Sequence, residues 1–126
     1  MTRLPYEAFV FVRRGDEFLV VHRSPRQGSY WHVIGGALEE GESWAEAAAR
    51  ELLEETGLAA EPVEVGEPFV YEDQPTPVLV HSFVVDAPPG WEPALDWEHD
   101  DYRWCTADEA VELLYWPEPR ELLRLL

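Results

Sequence analysis

Gly36-Ala37-Leu38-Glu39-Glu40-Gly41-Glu42, then seven residues, then Arg50-Glu51-Leu52-Leu53-Glu54-Glu55-Thr56-Gly57-Leu58: the rest of the chain is read outward from this stretch. Its second half is a helix by every local sign. Ser43 and Glu46 form an S-x-x-E capping box, and Gly57 stands where a left-handed residue ends a helix. Between them the chain is rich in Ala, Leu and Glu, which have high helix propensity. On that helix Glu51, Glu54 and Glu55 fall at i, i+3 and i+4, so three carboxylates project from one face. Like charges so placed repel. Either the face is exposed and solvated and the helix bears the cost, or a hard divalent cation offsets it; oxygen ligands of this kind suit Mg²⁺ or Mn²⁺. Arg50 adds a fixed positive group able to orient one of the acids.

Upstream, Trp31-His32-Val33-Ile34 reads as a short strand entering a glycine- and acid-rich loop from Gly35 to Glu42. Ser24 to Tyr30 is a polar loop with Pro25 and Gly28. Before it, Ala8-Phe9-Val10-Phe11-Val12 and Phe18-Leu19-Val20-Val21 flank Arg14-Gly15-Asp16, which predicts a β-hairpin. Downstream, β-rich segments run from Val63 to Tyr71 and from Val78 to Val85, with a further strand from Tyr102 to Cys105. Thr106-Ala107-Asp108-Glu109 is a second capping box, and Pro117 suits the first turn of a last helix. A mixed sheet covered by helices follows, in the α/β or α+β class, as a single domain over residues 1–126.

The chain has 126 residues, 26 acids and nine bases, all arginine, for a formal charge of −17. Such a balance argues against a nucleic-acid polymer as partner, because backbone affinity is carried by basic surface. No apolar run approaches the roughly 20 residues that span a bilayer, and Met1 to Glu7 lacks the apolar core of a secretory signal, so no membrane and a cytoplasmic location are expected. Cys105 stands alone, able to form neither an internal disulfide nor a zinc site by itself.

The glycine-to-leucine stretch matches the Nudix box, G-x5-E-x7-R-E-U-x-E-E-x-G-U with U aliphatic, at every specified position from Gly36 to Leu58. Chance gives such a match on the order of once in a million sequences of this length. The order of strands and helices around it also resembles the Nudix domain. The resemblance implies an α/β/α sandwich on a mixed sheet, a loop–helix–loop catalytic motif, and Mg²⁺-dependent hydrolysis of a phosphoanhydride in a nucleoside diphosphate derivative. By the same likeness Glu54 and Glu55 are metal ligands, Glu51 is a ligand or the base, and the Gly35 carbonyl is a backbone ligand. Glu42 and Arg50 hold the motif in shape. A further acid from a later loop, ligand or base, is expected at Glu98, with Asp100 and Asp101 as competitors.

Arg23 and Arg26, flanking the loop before the box, are candidates to neutralise phosphate charge. A nucleobase or pterin needs a flat partner, and Tyr30, Trp31, Phe69, Tyr71, Trp97 and Trp116 are the available rings, each also a natural core residue. Position favours Tyr30 and Trp31, next to the box strand, and Trp97, next to Glu98. The Tyr-Trp pair and the Trp-Glu-His segment are similar to the dATP/dihydroneopterin triphosphate pyrophosphatase branch. Pro75 and Pro77 keep an ADP-ribose or ADP-sugar hydrolase in view, beside a dinucleoside polyphosphate hydrolase. A non-catalytic nucleotide-sensing module is the alternative of another class, and the intact box argues against it. The expected partner is thus a small nucleotide-like molecule; a homodimer is compatible with the reading. Glu54→Gln should lower kcat severely with the fold intact, whereas Glu39→Gln and Glu40→Gln, outside the motif, should leave turnover near wild type in a phosphate-release assay.

Overall fold

The computed structural model describes residues 5–71 and 76–126. Residues 1–4, Pro75 and the side chain of Tyr71 lie outside the described residues. The elements run β1 (Tyr6–Arg14), β2 (Glu17–Arg23), β3 (Trp31–His32), β4 (Ile34–Ala37), α1 (Trp44–Thr56), β5 (Val63–Tyr71), β6 (Val78–Asp86), β7 (His99–Thr106), α2 (Ala107–Leu113) and α3 (Pro117–Leu123). Among the described residues, seven strands make one mixed sheet. No helix there is long and apolar enough to cross a membrane.

The first strand explains the layering. Side chains alternate across a strand, so an unbroken apolar run means that both faces are covered. Ala8, Val10 and Val12 pack with Ala47, Ala48 and Leu52 of α1. Phe9 and Phe11 pack on the other face with Ala110, Leu114, Leu122 and Leu123 of the α2–α3 pair. Leu19 and Val21 join the first cluster, Phe18 and Val20 the second. This is the helix–sheet–helix sandwich expected from the sequence.

The hairpin is shorter than the sequence suggests. β1 and β2 pair only at Arg13↔Phe18 and Arg14↔Glu17. Beyond the turn they splay, and the chain from Trp31 to Ala37 fills the fork. β3 pairs with β2 through Val21↔His32 and His22↔Trp31, while β4 pairs with β1 from Glu7↔Ala37 to Val10↔Ile34. The single strand expected at Trp31–Ile34 is therefore two strands broken at Val33. Gly35, Gly36 and Ala37, expected as loop, are strand, because the open edge of β1 satisfies their backbone groups. On its other edge β1 pairs in parallel with β6, and β5 closes that side.

β7 begins at His99, three residues before the expected start, because β2 offers it an edge that only tertiary structure supplies. Its register with β2 slips by one residue between His22↔Asp101 and Arg23↔His99. A slip of one residue exchanges the faces of the strand. Tyr102 and Trp104 pack on the α1 side, and the slip turns His99 to that side too.

Both capping boxes form. Ser43 Oγ accepts from the Glu46 amide at 3.1 Å, and the Ser43 amide donates to Glu46 at 2.8 Å. Thr106 and Glu109 repeat the exchange at 3.3 and 2.9 Å. Gly57 ends α1 at φ 79°, a left-handed conformation natural to glycine. α1 is held to the sheet mainly by its small and aliphatic face, at whose centre Leu52 is fully buried. Leu52→Ala should cost about 2–5 kcal/mol in urea unfolding; a loss within 0.5 kcal/mol of zero would mean that α1 is not anchored as described.

Candidate active site

α1 carries the acids, and each has a different surrounding. Glu54 is 56 % exposed at its side chain, Glu51 12 % and Glu55 2 %. The exposed, solvated face allowed by sequence is therefore ruled out for Glu55. No donor among the described residues reaches either Glu55 oxygen. Burial first, then the adjoining Glu51 carboxyl, then the charges of Asp96 and Glu98, push the Glu55 carboxyl well above the usual carboxylate range.

Arg50 gathers the motif through five hydrogen bonds. Its Nε and Nη2 grip the two Glu42 oxygens at 2.7 and 3.0 Å, a bidentate pair. Nη1 donates to Glu51 at 2.9 Å and to Glu54 at 3.2 Å, and Nη2 also donates to the Ala37 carbonyl at 3.0 Å. The Glu42 contact dominates in raising the Arg50 pKa and lowers that of Glu42. Glu42 in turn accepts from the Glu39 amide at 2.9 Å, fixing the turn before α1.

Gly36 makes room for Glu51. A Cβ on Gly36 would lie 2.5 Å from Glu51 Oε1 and 2.6 Å from its carboxyl carbon, so a side chain there would push the Glu51 carboxylate aside. The strand therefore lies against the carboxylate directly. Gly35 sits beside it, opposite Phe9 of β1.

A cavity of about 430 Å³ opens in front of these groups. Gly35, Gly36, Ala37, Arg50 and Glu51 form one side; Arg23, Gln27, Tyr30, His32, Glu98 and Trp116 come to it from elsewhere in the chain. Arg23 Nη2 donates to Gln27 at 2.8 Å and lies 3.6 Å from Glu98. The Ser24 amide donates to the Glu98 carbonyl at 2.8 Å, which ties the late acidic loop to the loop after β2. His32 is buried with an unpartnered Nδ1, and burial, with the charges of Arg23 and His99, pushes its pKa down to about 3. It is a neutral lining group at ordinary pH. Tyr30 and Trp116 bring rings to the rim, 6.2 Å apart, and Tyr115 extends the row, 5.4 Å from Tyr30.

The sequence-derived candidates divide accordingly. Glu51, Arg50, Gly35, Arg23, Tyr30 and Glu98 line the cavity. Glu54 stands outside it on Arg50, and Glu55 lies buried behind Glu51. Arg26 is exposed in a helical turn away from the cavity. Trp31 packs instead under the Arg103 guanidinium at 4.8 Å and beside His22. Trp97 is 71 % exposed and not part of the lining. Alternation accounts for Trp31, since in a strand neighbours of Tyr30 and His32 face the other way. Asp100 binds His22 at 2.7 Å and Asp101 the Tyr102 amide at 2.8 Å, both outside the lining. Sequence reasoning passed over His32, Gln27 and the buried His99; no local pattern marks them. Glu39, taken as a bystander, lines the rim 3.5 Å from Arg50, which leaves Glu40 as the sounder control.

These residues fit a hard divalent cation. Glu55 is a buried carboxyl lacking a donor, and Glu51 lies against a glycine with Arg50 on one oxygen. Among the described residues no three His, Cys, Asp or Glu side chains are gathered tightly about one point. A closed cage is thus absent there, and Mg²⁺ prefers an open arrangement of one or two carboxylates, waters and substrate phosphates.

Comparison with known proteins bears on the same features. Phosphatase NudJ of Escherichia coli K12 is 34% identical over 108 residues, covering 80% of this chain and 67% of that protein. An octanoyltransferase of Myxococcus xanthus is 40% identical over 117 residues, which is 88% of this chain, and the chain spans only 33% of that protein's length. The E. coli dihydroneopterin triphosphate pyrophosphohydrolase superposes with a TM-score of 0.88, covering 100% of this chain and 97% of that one, at 20% identity, a likeness of fold. A C. elegans Ap4A hydrolase in a binary complex gives 0.82 at 26% identity over 94% and 92% of the two chains. The NUDIX domain family model matches residues 3–126, and with the box, the sandwich and the Arg50-centred acids in place, the chain belongs to the NUDIX domain family.

Proposed function

We propose that this chain hydrolyses a phosphoanhydride bond in a nucleoside diphosphate derivative, with a (deoxy)nucleoside or pterin triphosphate as its substrate and Mg²⁺ as its metal. The observation that carries the reading is the cavity itself. One space of about 430 Å³ holds the box carboxylate Glu51, the acid Glu98, the cation Arg23 and the rings of Tyr30 and Trp116. That volume suits a small molecule, and a lining in which charged and polar side chains predominate suits a charged one held in one orientation.

Glu51, Glu54 and Glu55, with the Gly35 carbonyl and Glu98, are the groups that would hold the metal. Bound Mg²⁺, or Mn²⁺ in its place, supplies Lewis acidity that lowers the pKa of water and neutralises phosphate charge. The chain does the rest. Arg23 pairs with a phosphate oxygen, bidentately where geometry allows. Glu51 or Glu98 takes the proton from the attacking water. Arg50 keeps Glu51 in one orientation, and Tyr30 with Trp116 takes the flat end of the substrate. The Tyr115 ring beyond them favours dinucleoside polyphosphate as a second reading, since a second base would find a ring there.

A panel of (deoxy)nucleoside triphosphates, dihydroneopterin triphosphate, ADP-ribose and dinucleoside polyphosphates should give its highest kcat/KM with a triphosphate. Activity should vanish in EDTA, return with Mg²⁺ or Mn²⁺, and rise towards alkaline pH. Turnover in metal-stripped protein, or a maximum near pH 5, would contradict the mechanism. Binding without turnover would mark a sensor module, and a maximum on ADP-ribose or a dinucleoside polyphosphate would move the substrate class.

Glu98→Gln should lower kcat by roughly tenfold or more and raise KM less, since a ligand or base contributes mainly in the transition state. Asp100→Asn, whose side chain is engaged with His22, should change kcat less than about twofold. The reverse pattern would move the catalytic acid from Glu98 to Asp100.

A further inference from the structure

Behind the cavity, three buried polar atoms converge without a hydrogen bond: both oxygens of Glu55 and Nε2 of His99. Nε2 lies 3.4 Å from Glu55 Oε1, near enough for a hydrogen bond whose proton either atom could carry. The other ring nitrogen is engaged, with Nδ1 2.9 Å from Asp96 Oδ1. The His99 side chain has no exposed surface, and Asp96 keeps 16 %. The result is a line, Asp96–His99–Glu55, from the rim of the late loop to the innermost acid of the box helix.

The fold builds this line. The one-residue slip between β2 and β7 turns His99 to the α1 side of the sheet. The Ala94 amide donates to the Thr56 carbonyl at 2.9 Å, which ties the start of the same loop to the end of α1, next to Glu55. The His99 amide reaches the Asp96 carbonyl at 3.3 Å, so loop backbone and ring are fixed together. An apolar side chain would fill this space without leaving polar atoms unmatched, and buried polar atoms are ordinarily partnered.

We propose that His99, held by Asp96, is a positioning residue for Glu55, fixing which way that carboxylate faces and thereby tightening divalent-metal binding. This rests on the metal-dependent reading above. Groups that orient a ligating side chain from behind change metal affinity by roughly tenfold to a hundredfold when removed. Neither Asp96 nor His99 lines the cavity, so neither is offered as touching substrate.

The test measures Mn²⁺ affinity of the whole chain by the electron paramagnetic resonance signal of free Mn²⁺, with melting temperature recorded for each variant. His99→Phe keeps a ring and loses both nitrogens; its Kd for Mn²⁺ should rise roughly tenfold to a hundredfold. His99→Gln places an amide, donor and acceptor both, near the Nε2 position and should recover most of that loss. Asp96→Asn should fall between. A folded His99→Phe with the wild-type Kd overturns the proposal. If His99→Phe does not fold, the other two decide, and wild-type Kd in Asp96→Asn, or no advantage of His99→Gln over it, overturns the proposal. Glu55→Gln separates the two layers: if it binds Mn²⁺ as tightly as wild type, Glu55 is no ligand and this role alone falls, whereas if wild type binds none, the metal reading fails and takes this role with it.

Discussion

The Arg50 guanidinium is the constraint on which the site depends. One planar cation holds the turn before α1 through Glu42, the strand beneath it through the Ala37 carbonyl, and the helix through Glu51 and Glu54. Net hydrogen-bond gains to charged groups are about 1.5–3 kcal/mol each, but desolvation of a half-buried ion offsets much of the sum. The consequence is geometric more than energetic. Acids that would repel one another are spaced by a single cation, and Gly36 lets one of them lie against the strand. Lysine could not do this, since a point charge lacks the fork that grips Glu42 with two nitrogens and still reaches Glu51.

Around that centre, the sheet brings together what the sequence keeps apart. The fork between β1 and β2 admits the Trp31–Ala37 segment, and so sets Gly35 and Gly36 beside α1. β7 lies on the far edge of β2, and the loop before it reaches Arg23 and Ser24. The cavity exists where these meet. A charge of −17 spread over the chain is compatible with a phosphate-binding site only if cations and metal act locally. Arg23 and Arg50 on the lining are such local charges.

Much of this was legible before any coordinates. The box helix and both capping boxes follow from residue spacing, and the two-sided burial of β1 follows from its unbroken apolar run. Arg23 and Tyr30, named from their place beside predicted elements, and Glu98, named from the family likeness and its place before a strand, line the cavity. What was hidden depends on pairing. Gly35 to Ala37 look like loop until β1 offers them an edge. The reversal that buries His99 is a register slip, and nothing in Asp96-Trp97-Glu98-His99-Asp100 announces which residue is skipped. Trp31 and Trp97 attract notice as rings, yet alternation sends the first to the opposite face and the second stays in solvent, while Trp116 reaches the cavity from a turn far along the chain. Helical spacing put Glu51, Glu54 and Glu55 on one face; only packing shows that they descend from surface to core.

The central claim is that Glu51, laid against Gly36 and held by Arg50, and the buried Glu55 behind it form a divalent-metal site opening on the cavity. The most direct measurement is the anomalous diffraction of crystals grown with Mn²⁺ and a non-hydrolysable nucleoside triphosphate analogue. The account predicts a peak about 2.1 Å from a carboxylate oxygen of Glu51 or Glu55, with phosphate oxygens on the cavity side. Strong Mn²⁺ density only at exposed acids such as Glu40 or Glu64, with the analogue away from Arg23 and Tyr30, would contradict it.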